Sequence, residues 1–227
     1  MLDDKGFDLW ADGYDQSVGL SDEDNSYPFA GYKEILARIY RTVLNKGQAT
    51  VLDLGFGTGT LSTKLYEQGC DIWGLDFSSR MIELARAKMP KAHLFQGDFS
   101  QGLVTPLLQN AYDFIIATYS LHHLTDENKI AFLRSLTRLL NEGGMILIGD
   151  VAFQSRADLL RCRNEAGEVY YADNQIILYY KDMKVKADYT KIGTIEDTDG
   201  LEEAVISNPV LEGWGNKIIS LQAISGN

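Results

Sequence analysis

The chain of 227 residues carries 21 Lys+Arg against 32 Asp+Glu, a formal net charge of -11. Its 45% hydrophobic and 23% charged residues match a globular protein that buries its own core, and exclude disordered and fibrous classes. An acidic balance without a run of four Lys or Arg disfavours nucleic acid and anionic lipid as partners, since both are held largely by basic side chains. Apolar runs such as Phe114 to Ala117 fall far short of the ~18 residues of a membrane span. The acidic start, Met1 to Lys5, lacks the plan of a secretory leader. Cys70 and Cys162 cannot build a disulfide framework or a four-thiolate zinc site, so a reduced, cytoplasmic setting is expected.

In chain order, Phe7 to Tyr14 reads as a short helix and Tyr32 to Leu44 as an amphipathic one. Val51 to Leu54 is a strand that runs into a glycine cluster, and Thr60 to Gln68 a helix closed by Gly69. Asp71 to Leu75 is a second strand, ending at Asp76. Ser78 caps a helix with Met81, Ile82, Leu84, Ala85 and Met89 at helical spacing, and Pro90 stops it. Ala92 to Phe95 makes a weaker strand, and Tyr112 to Thr118 one with the apolar centre expected where both faces are covered. Thr125 opens a helix through Ile130, Leu133, Leu136 and Leu140, which Gly143 and Gly144 end before a strand at Met145 to Gly149.

Further on, Ser155 and Asp158 resemble a capping box for a helix to about Asn164. A strand is expected around Val185 to Ile192, a helical turn at Leu201 to Val205 and a final strand at Ile218 to Ile224. Strands separated by helices imply right-handed crossovers, and so an α/β, doubly wound, mainly parallel sheet.

The loop Asp53-Leu-Gly55-Phe56-Gly57-Thr-Gly59 lies where the first strand meets a helix, the edge at which such sheets bind ligands. Its G-x-G-x-G spacing lacks the third glycine of a dinucleotide fingerprint, and no lysine follows to make a phosphate loop. Asp53 suits a cationic ligand better than a pyrophosphate. Asp76 at the second strand end suits ribose hydroxyls, and Asp98 after the third suits an exocyclic amine. A cation, a ribose and an adenine without phosphates describe S-adenosylmethionine. Each acid has a plainer reading, as a cap or a turn residue. Phe77, Met81 and Phe99 either sandwich the adenine or belong to the core.

Residues 49–150 resemble the class I S-adenosylmethionine-dependent methyltransferases. The glycine motif Val51 to Gly59, the acids Asp76 and Asp98, and the stretch Tyr112 to Leu124 with Thr118 carry the likeness. Phe7 to Asp15 is similar to the N-terminal lid of small bacterial members, in which a tyrosine matching Tyr14 lies over the cofactor. The resemblance implies a Rossmann-like, seven-stranded sheet with an N-terminal helical lid. It also implies one domain over 1–227, with a lid at 1–30, a cofactor core at 49–150 and a C-terminal substrate-side part at 151–227. Phe56 departs from the small residue or cysteine common there, and little is recognisable after residue 165.

Methyl transfer needs alignment and exclusion of water, and a base only if the acceptor carries a proton of high pKa. The candidates are His122, His123 and Asp150, with packing or capping as the alternative for each. Absence of an Asn-Pro-Pro-Tyr-like stretch disfavours nucleobase amino groups. The resemblance of Tyr112 to Leu124 to the small-molecule branch of the family implies a small-molecule acceptor, with a protein or tRNA acceptor as alternatives, the latter disfavoured by the charge. Trp10 and Tyr14 suit a lid. Tyr170, Tyr171, Tyr179 and Tyr180 line an acceptor pocket, a strand or a homodimer contact. An NAD-dependent oxidoreductase and a non-enzymatic binder of S-adenosylmethionine or S-adenosylhomocysteine stand as alternatives.

Overall fold

The structure is a computed structural model that describes residues 32–153 and five short strands beyond them, at 176–177, 187–189, 193–195, 201–202 and 216–223. The lid expected at 1–30, with Trp10 and Tyr14, lies outside the described residues. So do the helix expected from Ser155 to Asn164 and the four tyrosines of the acceptor pocket.

Five parallel strands form the frame: β1 (Thr50–Leu54), β2 (Asp71–Asp76), β3 (His93–Gln96), β4 (Tyr112–Thr118) and β5 (Leu140–Phe153). They stand in the order β3-β2-β1-β4-β5, so the chain reverses its direction of travel between β1 and β4. That switch point opens a crevice at the strand carboxyl ends. Beyond β5 lie β10 (Asn216–Ala223), antiparallel along Met145 to Val151, and then β9 (Leu201–Glu202). An eighth strand, β6 (Ile176–Ile177), pairs with Ala152 and Phe153 off this path. A separate hairpin joins β7 (Ala187–Tyr189) to β8 (Gly193–Ile195).

Both faces are covered. On one, α1 (Tyr32–Leu44), α2 (Thr60–Glu67) and α3 (Ser79–Lys88) bury Ile35, Ile39, Leu65 and Ala85 against Val51, Ile72 and Ile116. On the other, α4 (Thr105–Leu108) and α5 (Asp126–Leu136) set Leu107, Leu133 and Leu136 against Leu52, Ile115 and Ile146. The continuous apolar runs of β1 and β4 follow from this double coverage. The Ser78 cap forms as its sequence suggests, with Oγ accepting from the Met81 N–H at 3.1 Å. Among the described residues no helix is long and apolar enough to cross a membrane.

Two sequence expectations are corrected. The helix through Leu140 ends at Leu136, a 3-10 turn covers Thr137–Leu139, and β5 begins at Leu140 with both glycines inside it. A Cβ on Gly144 would stand 2.9 Å from the Asn141 carbonyl oxygen and 3.0 Å from that of Tyr112, so only glycine allows the strand to pass. The pairing of β4 with β5 shifts register between Tyr112 and Phe114 there, the mark of a bulge rather than a helix end. Likewise Leu201 and Glu202 form a strand, not a helical turn, because the edge of β10 at Gln222 and Ala223 pairs with them.

Candidate active site

Gly55 leaves β1 at φ +73°, with its N–H on the Leu75 carbonyl at 2.8 Å. A Cβ there would lie 2.5 Å from Cβ of Ser120, whose hydroxyl donates to the Leu54 carbonyl at 2.7 Å. The loop therefore packs directly on the segment after β4. At Gly57, φ +55°, no described atom stands within 4 Å of an added Cβ, so the backbone faces open space. Gly59 is the left-handed N-cap of α2. Phe56 between them turns inward: its ring covers Gly74, where a Cβ would come within 2.6 Å of Cδ1. Only the backbone of Phe56 belongs to the mouth of the loop.

Asp76 joins the loop to β2. Its Oδ2 accepts the Gly57 N–H at 2.8 Å and its Oδ1 the Ser78 N–H at 2.9 Å. Asp53 is buried on β1, with Oδ2 accepting from Ser62 Oγ of α2. Its Oδ1 is buried with no hydrogen-bond partner among the described residues. Burial pushes the Asp53 carboxyl up to about 7, against the pull of the Ser62 bond and with a smaller push from Asp76. A buried acceptor without a partner is costly. A cationic ligand group would satisfy it. Such an orphaned oxygen beside a bare backbone fits a ligand that is positive at one end.

Asp98 follows Gly97, whose N–H donates to the Asp76 carbonyl at 2.9 Å. It is exposed and caps the 3-10 turn Phe99–Gln101, accepting from the N–H and hydroxyl of Ser100 at 2.8 and 2.7 Å. Phe99 is buried and stacks on Phe132 with 5.5 Å between centroids, and Met81 is buried on α3. Phe77 is half-buried at the end of β2, and Thr118 is half-buried at the end of β4 opposite Gly149.

The segment after β4 begins with Tyr119, at φ +52° the one non-glycine left-handed residue among those described. Its N–H donates to the Gly149 carbonyl at 2.7 Å, which locks the turn onto β5. The 3-10 turn Leu121–His123 comes next. There Nδ1 of His122 meets Oδ1 of Asp150 at 2.7 Å, while Oδ2 accepts the His122 N–H at 3.2 Å. The His123 ring lies 4.3 Å from that of His122 and is half-buried. Burial, with help from the neighbouring His122, lowers His123 to about 4, so it is neutral at pH 7.

This arrangement has known counterparts. A model for a methyltransferase domain matches residues 51–144. An uncharacterised methyltransferase of Geobacillus sp. (strain WCH70) is 41% identical over 163 residues, 71% of this chain and 73% of the relative. The chain belongs to the methyltransferases. Two solved structures share the fold of this methyltransferase. One is the magnesium protoporphyrin IX methyltransferase of Synechocystis PCC 6803 with bound S-adenosylmethionine, at a TM-score of 0.60 and 18% identity, covering 98% of each chain. The other is the N-methyltransferase NodS of Bradyrhizobium japonicum WM9, at 0.59 and 15%, covering 88% of this chain and 99% of that one. A second model, of a cyclophilin-like family, matches residues 146–211, so the two family matches meet inside β5.

Ser62, Ser120 and Tyr119 of this methyltransferase were not legible as site residues. The only signal in the sequence was their position, one turn into the helix after the loop and directly after β4.

Proposed function

We propose that this methyltransferase moves a methyl group from S-adenosylmethionine to a small-molecule acceptor by in-line displacement. The observation that carries the reading is Oδ1 of Asp53, buried and without a described partner beside the glycine loop. When bound, S-adenosylmethionine supplies a methyl carbon already activated by its sulfonium. Asp53 draws the cationic end of the cofactor, and the bare backbone of Gly55, Phe56, Gly57 and Gly59 lets it approach. Asp76, held at the loop by two backbone bonds, takes the ribose hydroxyls. Asp98 takes the adenine edge, with Phe77, Met81 and Phe99 along the ring and Thr118 at the methyl end. Tyr14 closes over it from an N-terminal lid at 1–30. The like-folded Synechocystis enzyme, crystallised with S-adenosylmethionine, supports the cofactor assignment.

A small acceptor is supported by the net charge of -11, which repels a polyanion. The whole chain acts as one domain, with seven strands on the main path of its sheet and β6 beside it: residues 49–150 hold the cofactor, and 151–227 face the acceptor. What supports the single domain is β10, which comes after the cyclophilin-like match and yet pairs along β5. The two cysteines, with Cys70 buried, suit a reduced cytoplasm.

The deciding experiment is a calorimetric titration with S-adenosylmethionine, S-adenosylhomocysteine and NAD, repeated on Asp76→Ala. Micromolar binding of both adenosyl compounds, about -8 kcal/mol, and its weakening by the substitution are expected. Binding of NAD alone would overturn the reading.

A further inference from the structure

The geometry points to His122 as the general base of the transfer, with Asp150 as its positioning residue. The acceptor is then one that arrives with a proton on the attacking atom, as a hydroxyl, thiol or ammonium group. This rests on the methyl-transfer reading above.

The pair is a product of the sheet, since the residues lie 28 positions apart in sequence. Parallel pairing sets Thr118 opposite Gly149, and the Tyr119 N–H on the Gly149 carbonyl anchors the start of the next turn. The turn carrying His122 is thereby laid over Asp150 at the carboxyl ends of β4 and β5. That is the crevice side of the switch point, beside the Gly55 loop that packs on Ser120.

Both oxygens of Asp150 serve the same residue, one holding the ring at 2.7 Å and the other the backbone N–H at 3.2 Å. A carboxylate that merely capped the turn would need only the backbone bond. Asp150 is wholly buried and His122 is 5% exposed, a setting in which a carboxylate is costly unless it is paired. A carboxylate can only accept, so Nδ1 carries the hydrogen and the lone pair is left on Nε2. The same logic orients the histidine of hydrolytic triads, where the acid also stabilises the imidazolium that forms. Among the described residues, His123 stands beside the ring, and the charge of Asp98 reaches His123.

The step balances. An ammonium acceptor first gives its proton to His122, and a hydroxyl or thiol gives it up during attack; the acceptor lone pair then forms the bond to the methyl carbon as the carbon–sulfur bond breaks, and that electron pair stays on sulfur. The acceptor proton passes to Nε2 of His122 and leaves to solvent after the product.

The test measures methyl transfer from S-adenosylmethionine to simple phenols, thiols and amines, and to carboxylic acids, which are already ionised. Wild type, His122→Gln and Asp150→Asn are compared, with S-adenosylhomocysteine affinity measured for each. His122→Gln should lose roughly 100- to 10,000-fold in kcat on the proton-bearing acceptors, with KM little changed. The acid limb of its kcat–pH profile should vanish, while carboxylates are not slowed. Asp150→Asn, which still accepts the backbone bond, should lose kcat with unchanged S-adenosylhomocysteine affinity. Wild-type kcat in His122→Gln on proton-bearing acceptors would overturn the proposal.

Long-range 1H–15N spectra of the imidazoles decide independently of turnover. A His122 with hydrogen on Nδ1 in wild type, altered in Asp150→Asn, supports the dyad. Hydrogen on Nε2 in the neutral wild-type ring overturns it, even if no acceptor in the panel reacts. Failure of wild type to bind S-adenosylhomocysteine would instead count against the cofactor reading.

Discussion

The backbone N–H of Gly57 donates to Oδ2 of Asp76 at 2.8 Å, tying the tip of the glycine loop to the end of the neighbouring strand. The acid assigned to the ribose is thus also the brace that sets the loop. Asp76→Ala removes this bond and the one to the Ser78 N–H. Stability should fall by about 2 kcal/mol in urea unfolding, and S-adenosylhomocysteine affinity by roughly 10- to 100-fold. Unchanged stability with lost affinity would confine Asp76 to the ligand.

Asp53 gives a pH signature. Its folded value of about 7 lies above the ordinary 3.8, so the folded protein keeps a proton that the unfolded chain has released. Stability from this group is present below pH 3.8 and is lost as pH rises towards 7. At ~1.4 kcal/mol per pH unit the loss is roughly 4 kcal/mol. His123, lowered from 6.5 to about 4, works in the opposite sense, with stability lost as pH falls from 6.5 to 4. Between pH 4 and 6.5 the two oppose one another. Asp53→Asn should therefore stabilise the ligand-free protein at pH 8, make it more acid-sensitive than wild type below pH 6.5, and weaken binding of the cationic cofactor. Urea midpoints across pH, with calorimetry at pH 8, check all of this.

The loop glycines separate folding from binding. Gly55→Ala adds a left-handed alanine whose Cβ would lie 2.5 Å from that of Ser120, and should cost about 3 kcal/mol. Gly57→Ala meets no described atom within 4 Å and should cost only about 1 kcal/mol, for its φ of +55°. Its methyl group would project where the cofactor approaches. Thermal melts should thus rank Gly55→Ala as the more damaging change, while Gly57→Ala remains folded and loses cofactor affinity.

The cap of α3 is local and should behave so. Ser78→Ala removes the acceptor of the Met81 N–H and should cost about 1 kcal/mol of stability. Ser78→Asp should restore most of it, as read by urea unfolding.

Local features of this protein follow from residues close together along the chain. The 3.6-residue rhythm of Tyr32–Leu44, the cap at Ser78 and the apolar run of Tyr112–Thr118 are each decided within a turn or a strand, and each formed as spaced. The succession of strand and helix likewise dictated the parallel frame, because right-handed crossovers leave little choice. Tertiary structure decided what depends on partners far along the chain. The two glycines at 143 and 144 look like a helix stop until β4 lies beside them, when they become a bulge in β5. Phe56 looks like part of a binding loop until Gly74 offers its ring a place in the core. Asp98 caps its own turn, while Asp150 finds His122 across two strands. Spacing along a chain encodes periodicity, but which side chains meet is set by the register of strands that only the folded sheet brings together.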